Sequence, residues 1–251
     1  MITIKTEAEA ERMRVSGRLT KNVLDLLGNS IRVGMTTAEL DKIAYDYIKS
    51  VGGEPSFLNF EGYPASTCIS IDEQVVHGIP SDDTFIKEGQ IVSVDVGVIY
   101  DGYHGDAART FLVGEVSQEK RKLVQVTKEC FFKAVEHLRA GTPLGDIGYY
   151  VQSHAEANGY GVVKALVGHG IGTEMHEDPS VPNYGIKGTG IRLKSGMTIA
   201  IEPMINMGTW KVFIDADDEY GWEVITGDEL PSAQWEHTFV MTEHGVEILT
   251  H

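Results

Sequence analysis

The sequence predicts an α+β fold in which two pseudo-equivalent halves, roughly 1–115 and 116–251, surround a central antiparallel sheet. Three observations carry that expectation. Each half contains both helical periodicity and short β-branched runs. A set of motifs recurs at one fixed offset along the chain. No Pro/Gly/Ser-rich linker separates the copies, so both read as parts of one domain spanning 1–251.

In chain order, an amphipathic helix is expected over about Glu7 to Leu27, outside the strands. Gly34-Met-Thr-Thr-Ala-Glu-Leu40 opens a second. There Thr36 and Glu39 form a capping box, in which hydroxyl and carboxylate each satisfy a backbone N–H left unpaired by the first turn. Leu40, Ile43, Ala44, Tyr47, Ile48 and Val51 then recur at helical spacing until Gly52-Gly53. From Ile91 to Val113, β-branched and small residues flank Asp101-Gly102, a type I′ hairpin signal. With those two residues as the turn, Tyr100 pairs with Tyr103, Asp106 faces Gly97 and Asp95 faces Ala108. A third helix is expected across Ser117 to Leu138. A fourth opens at Gly141-Thr-Pro-Leu144 with Pro143 at its start, carries Ile147, Tyr150, Val151 and Ala155 as its apolar stripe, and stops at Asn158-Gly159. Thr198–Ile201 reads as a strand ended by Pro203, and Gln234–Val240 as a β-prone run with Glu236 inside it.

The openings of the second and fourth helices are 107 positions apart. At the same offset, Ile86-Lys87-Glu88-Gly89 before Gln90–Asp95 matches Leu193-Lys194-Ser195-Gly196 before Met197–Glu202. His77-Gly-Ile-Pro80 resembles His176-Glu-Asp-Pro179 at an offset of 99, so eight residues must be gained before the strand.

Bulk composition excludes several classes. A net charge of −16 disfavours nonspecific binding to nucleic acid or an anionic membrane. No window reaches the ~18 apolar residues of a membrane span, and the N-terminus lacks an apolar signal core, so a soluble cytoplasmic protein is expected. Cys68 and Cys130 form no CxxC pattern and read as free buried thiols.

The paired strands bear the chemistry. Side chains alternate with period two, so Asp95 and Asp106 point to one face as diagonal neighbours. Two like charges there suit a solvated face or a bound cation. The flanking Ile91, Val92, Val94, Val96 and Val98 populate both faces, which argues for burial and hence for a cation. Glu202 and Glu236 add two carboxylates in apolar surroundings, as partners of Asp95 and Asp106 respectively, so that four acids on four central strands would converge. His169 lies in Gly168-His-Gly-Ile-Gly172, a string without the GxGxxG spacing of a phosphate loop. Four carboxylates and one imidazole are a hard ligand set suited to two divalent ions.

At this point the sequence resembles, over essentially its whole length, the type I methionine aminopeptidases of the bacterial short form, which have the pita-bread fold. The matching strings are His77-Gly-Ile-Pro80, Val94-Asp95-Val-Gly97, Gly105-Asp106, Gly168–Gly172, Met175–Pro179, Ile201-Glu202-Pro-Met204 and Gln234-Trp-Glu236-His-Thr238. The resemblance implies that Asp95 chelates one metal, that His169 and Glu202 bind the other, and that Asp106 and Glu236 bridge them. It makes His77 and His176 substrate-contacting catalytic residues and Glu202 the general base. It also implies that Phe60, Tyr63, Cys68, Met175 and Trp222 line a methionine pocket, for which plain core packing is the competing reading. The implied substrates are peptides and nascent chains with an N-terminal methionine and a small second residue. The metal is Co, Mn, Fe, Zn or Ni, the chain a monomer, and the ribosome a transient encounter. The gap of 33 residues between His169 and Glu202 leaves no room for the helical insertion of type II enzymes. Val76 stands where many relatives have cysteine, which removes a thiol near the site. Two alternatives remain open: a proline-directed peptidase of the same fold, and a pita-bread binding protein that has lost its metal ligands.

Overall fold

In the computed structural model, which describes residues 2–251, the first half runs α1 (Glu7–Ser30), α2 (Thr37–Ser50), β1 (Glu54–Pro55), β2 (Thr67–Ile71), β3 (Gln74–Val76), β4 (Ile91–Tyr100) and β5 (Tyr103–Leu112). The second half runs α3 (Gln118–Val135), α4 (Gly145–Ala157), β6 (Gly161–Val162), β7 (Gly168–Gly170), β8 (Glu177–Val181) and β9 (Thr198–Ile201), followed by β10 (Met204–Asn206), β11 (Val212–Ile214), β12 (Val224–Thr226), β13 (Ser232–Gln234), β14 (His237–Thr242) and β15 (Gly245–Ile248). All strand pairings are antiparallel.

Local chemistry accounts for the helices. Thr6–Glu9 and Thr36–Glu39 both close capping boxes, so α1 and α2 start with their first amides satisfied. Ser117 caps α3 from its side chain. Val23, Leu24, Leu27, Leu40, Ala44 and Ile48 pack on Val92, Val94, Val96 and Val98, the even-numbered face of β4. The odd-numbered face, with Asp95 and Gly97, is thereby turned away from α1 and α2. In the second half, Leu123, Phe131, Ile147 and Val151 pack in the same way on Ile199, Ile201 and Phe239. The two helical layers enclose the strands. Close backbone approach is needed at Gly105, where an added Cβ would lie 2.7 Å from the amide nitrogen of Gly17 on α1.

The β4–β5 hairpin has the expected register: Tyr100 opposes Tyr103, Gly97 opposes Asp106, and Asp95 opposes Ala108. Asp101 and Gly102 both adopt positive φ (49° and 78°), as a type I′ turn requires. The two halves join along β5. Ala108 and Glu236 exchange backbone hydrogen bonds at 3.3 and 2.9 Å, and Thr238 Oγ1 both accepts from Asp106 N–H and donates to Asp106 C=O.

Several expectations need correcting. Pro143 does not start α4. It bridges to Arg192, and Leu144 N–H bonds Ile191 C=O, so this stretch runs as a short strand before helix begins at Gly145. Tyr150 packs on the same core as Ile147, Val151 and Ala155, while its partly exposed ring also stacks on His137. Helix α1 continues to Ser30, and α3 ends at Val135. Nor do the four acids sit on four strands. Glu202 lies one residue past β9, and Glu236 lies in the step between β13 and β14. Pro203 cannot donate a ladder bond, so β9 and β10 are separate. The facing chain breaks at the same place, yet the register continues across the break, from Ile201↔His237 to Met204↔Gln234. Glu202 and Glu236 are therefore directly opposed.

Candidate metal centre

The breaks and the hairpin bring all five predicted ligands to one buried pocket. Asp95 comes from the odd face of β4, Asp106 from β5, and His169 from β7, which pairs with β9 at Ala200. His169 Nε2 lies 3.7 Å from Asp106 Oδ2 and 3.9 Å from Glu202 Oε1. Ligand atoms of Asp106, His169 and Glu236 all fall within 4.8 Å of one another, a spacing that one ion can span. His169 Nδ1 is 2.9 Å from Gly170 C=O. Donation there places the lone pair on Nε2, toward the acids. Gln234 Nε2 reaches Asp95 Oδ2 at 3.5 Å.

The electrostatics call for a cation. Among the described residues, the only ion-pair partner of these acids is His169 itself. Asp95 Oδ1 and Asp106 Oδ1 are buried without any hydrogen-bond partner, an arrangement that costs roughly 1–3 kcal/mol per group if nothing fills it. Burial raises Asp95 to about 7. Burial, and then the neighbouring carboxylates, push Asp106, Glu202 and Glu236 well above the carboxylate range. Burial, helped by His176, lowers His169 to about 4, so it is a neutral imidazole at pH 7. The donor set of carboxylate oxygens and one imidazole fits divalent metal.

Beside the acids, Phe60, Tyr63, Cys68, Met175 and Trp222 line the same pocket, and they also pack on one another as one apolar cluster. Phe57 joins them and was missed by sequence reasoning; a phenylalanine in a loop carries no positional signal. The pocket encloses about 70 Å³. Tyr63 and His77 each meet Trp222 edge-on, at 5.6 and 5.5 Å between ring centres. His176 packs between His169 (4.4 Å) and Phe60 (5.3 Å). Thus both predicted substrate histidines border the pocket. His77 has φ 62°, a left-handed conformation worth about 1–3 kcal/mol of strain, of the kind found where a side chain must be aimed. Gly78 follows because a Cβ there would strike the Ile69 carbonyl. Val76 is buried with Val163, Met204 and Val224 and does not line the pocket. His104 also escaped sequence reasoning. It is buried on β5, bonded to Ser56 Oγ at 2.9 Å, and lowered to about 4 by burial.

This fold and centre define a metal-dependent hydrolase, and the chain belongs to metallopeptidase family M24, which matches residues 11–243. Within that family it is similar to methionine aminopeptidases. The Clostridium acetobutylicum methionine aminopeptidase is 50% identical over 250 residues, covering 100% of this chain and 99% of that one. The crystal structure of the Rickettsia prowazekii methionine aminopeptidase superposes with a TM-score of 0.97 at 43% identity, covering both chains fully. The Pyrococcus furiosus prolidase superposes less closely (TM-score 0.80, 26% identity), and this chain covers only 65% of it.

Proposed function

We infer that the protein is a type I methionine aminopeptidase that hydrolyses the N-terminal methionine from peptides and nascent proteins, preferring a small second residue. The observation that carries this reading is the union, in one pocket, of a carboxylate-rich metal centre with an apolar chamber of side-chain size. Asp95, Asp106, His169, Glu202 and Glu236 would hold two divalent ions, with Asp106 and Glu236 shared between them, and the donor set accepts Co, Mn, Fe, Zn or Ni. When bound, the metals supply an acidified water and a Lewis acid for the scissile carbonyl.

The chain's own residues do the rest. Phe57, Phe60, Tyr63, Cys68, Met175 and Trp222 surround the methionine side chain, with aromatic faces available to its sulfur. Glu202 takes a proton from the attacking water and passes it to the leaving amine. His176 and His77 hold the peptide unit and donate to the oxygen that gains charge. The surrounding apolar wall excludes bulk water and strengthens each of these interactions.

The two halves, 1–115 and 116–251, act on this reading as one catalytic domain, because each supplies ligands. A cytoplasmic monomer that meets the ribosome only transiently, with no nucleic-acid affinity of its own, accords with the charge of −16. No helix among the described residues is long and apolar enough to cross a membrane. A metal-free binding module would lack ligands, whereas all five converge here. Proline-directed activity is separated by comparing hydrolysis of Met-Gly-Met with that of an Xaa-Pro peptide. The decisive test pairs Glu202→Gln and Asp106→Asn with metal analysis. Both variants are expected to lose methionine release, and retained hydrolysis by either would sink the assignment.

A further inference from the structure

Beside the metal pocket lies a second, largely apolar groove of about 300 Å³, lined by Val212, Ile214, Val224 and Trp222 of the β11–β12 hairpin and by Ala165 and Leu166. The two cavities meet at His77 and Trp222, which line both. The hairpin also offers unpaired backbone. Strand β11 pairs only with β12. Asp215 N–H bonds Glu223 C=O (2.8 Å) and Gly227 N–H bonds Lys211 C=O (2.9 Å). In an antiparallel ladder the bonded positions alternate, so the N–H and C=O of Val212 and Ile214 point off the sheet edge. Ile214 is 62% exposed. An apolar residue on a bare edge is a liability in a free surface and an asset where a strand docks.

We propose that residues three to five of the substrate run through this groove as an extended strand beside β11, with an apolar side chain favoured against Ile214. The proposal rests on the aminopeptidase reading. The groove begins at His77 and Trp222, which also line the pocket, so a peptide that leaves the pocket on that side enters the groove. Three extended residues span about 10 Å, the length of the three-residue β11. The unbonded amides and carbonyls of β11 then gain partners from the peptide, as in other cases of strand addition. Selection would thus extend beyond the two residues next to the scissile bond, and would act on KM more than on kcat.

The test measures kcat and KM on metal-loaded enzyme with three peptides: Met-Ala-Ser, Met-Ala-Ser-Ser-Ser and Met-Ala-Ser-Leu-Leu. The wild type is expected to favour the leucine pentapeptide over the serine pentapeptide by about fivefold in kcat/KM, the scale of partly burying one apolar side chain. Ile214→Ser is expected to abolish that preference, and an unchanged circular dichroism spectrum and metal content report that the variant folds. Equal kcat/KM for the two pentapeptides in the wild type, or a preference that survives in Ile214→Ser, would overturn the groove alone. A concentration-dependent dimer broken by Ile214→Ser would give the edge to a second copy of the chain and overturn it too. Absence of methionine release from all three peptides would strike the aminopeptidase reading, and the groove with it.

Discussion

Chelator-stripped protein, titrated with a divalent ion at pH 7, is expected to release protons as the centre fills, because its ligands must be ionised to bind. Burial holds Asp95 at about 7, so it contributes about half a proton at that pH. Asp106, Glu202 and Glu236 are pushed up by burial and by the neighbouring carboxylates, and add to that release. His169, lowered to about 4, is already neutral and contributes none. The same shifts set the stability of the metal-free form. A group whose folded pKa is raised above its unfolded value adds stability that is complete below the unfolded pKa and disappears as pH rises through the folded one. For Asp95 that window runs from 3.8 to about 7. Metal-free protein should therefore lose stability between pH 5 and 8, and added metal should restore it at the upper end. Calorimetric titration in buffers of different ionisation heat counts the protons, and thermal melts at pH 5.5 and 8, with and without chelator, follow the stability. Absence of proton release at pH 7 would refute the argument that these acids share a dry, cation-free interior.

Three further outcomes follow from the packing. Lys5→Met removes the partner of a nearly buried Glu177, 2.5 Å away, and is expected to cost about 3 kcal/mol in urea melts. Gly105→Ala drives a methyl group into the α1 backbone at Gly17, 2.7 Å from its nitrogen, and is expected to lower stability by about 1–3 kcal/mol, read as an earlier thermal transition. Trp222→Ala removes the wall that meets Tyr63 and His77. KM for methionyl peptides should rise about tenfold while bound metal, measured by elemental analysis, stays unchanged.

What the sequence made legible was local. The Asp101-Gly102 turn fixed the β4–β5 register, and with it the shared face of Asp95 and Asp106, because a two-residue I′ turn leaves no freedom in pairing. The capping box at Thr36 marked the start of α2 for the same kind of reason. What it hid depends on distant chain. Pro143 carries a helix-start signal, but pairing with Arg192 overrides it. Glu236 reads as mid-strand because Gln234–Val240 is uniformly β-prone; only contact with Ala108 shows the step there. The left-handed backbone of His77 has no sequence signature, since such conformations are expected at glycine. The Lys5–Glu177 pair joins residues 172 positions apart, and no short-range pattern foretells it.

On the proposed two-ion reading, sheet register also gives the two metal positions different surroundings. With Asp95 matched to Glu202, Ser93 matches Ala200. Ser93 pairs with Ser70, and Ala200 pairs with His169. The counterpart of His169 is therefore Ser70, at the same offset of 99 that relates His77 to His176. Ser70 Oγ is occupied at 3.1 Å by the Gly78 amide, beside the strained His77. The first half thus uses this position to hold the His77 turn, while the second half places an imidazole there. A second asymmetry adds to this. Asp106 faces Gly97 and lies diagonal to Asp95, whereas Glu236 directly opposes Glu202 across the strand break. The carboxylate pairs are therefore offset by two residues of register, and among the described residues the imidazole within 4.8 Å of Asp106 and Glu236 is that of His169. Two ions entering such a centre meet different donor sets, so stepwise loading, with the His169 side distinguishable from the Asp95 side, follows from how the repeated scaffold departed from its own symmetry.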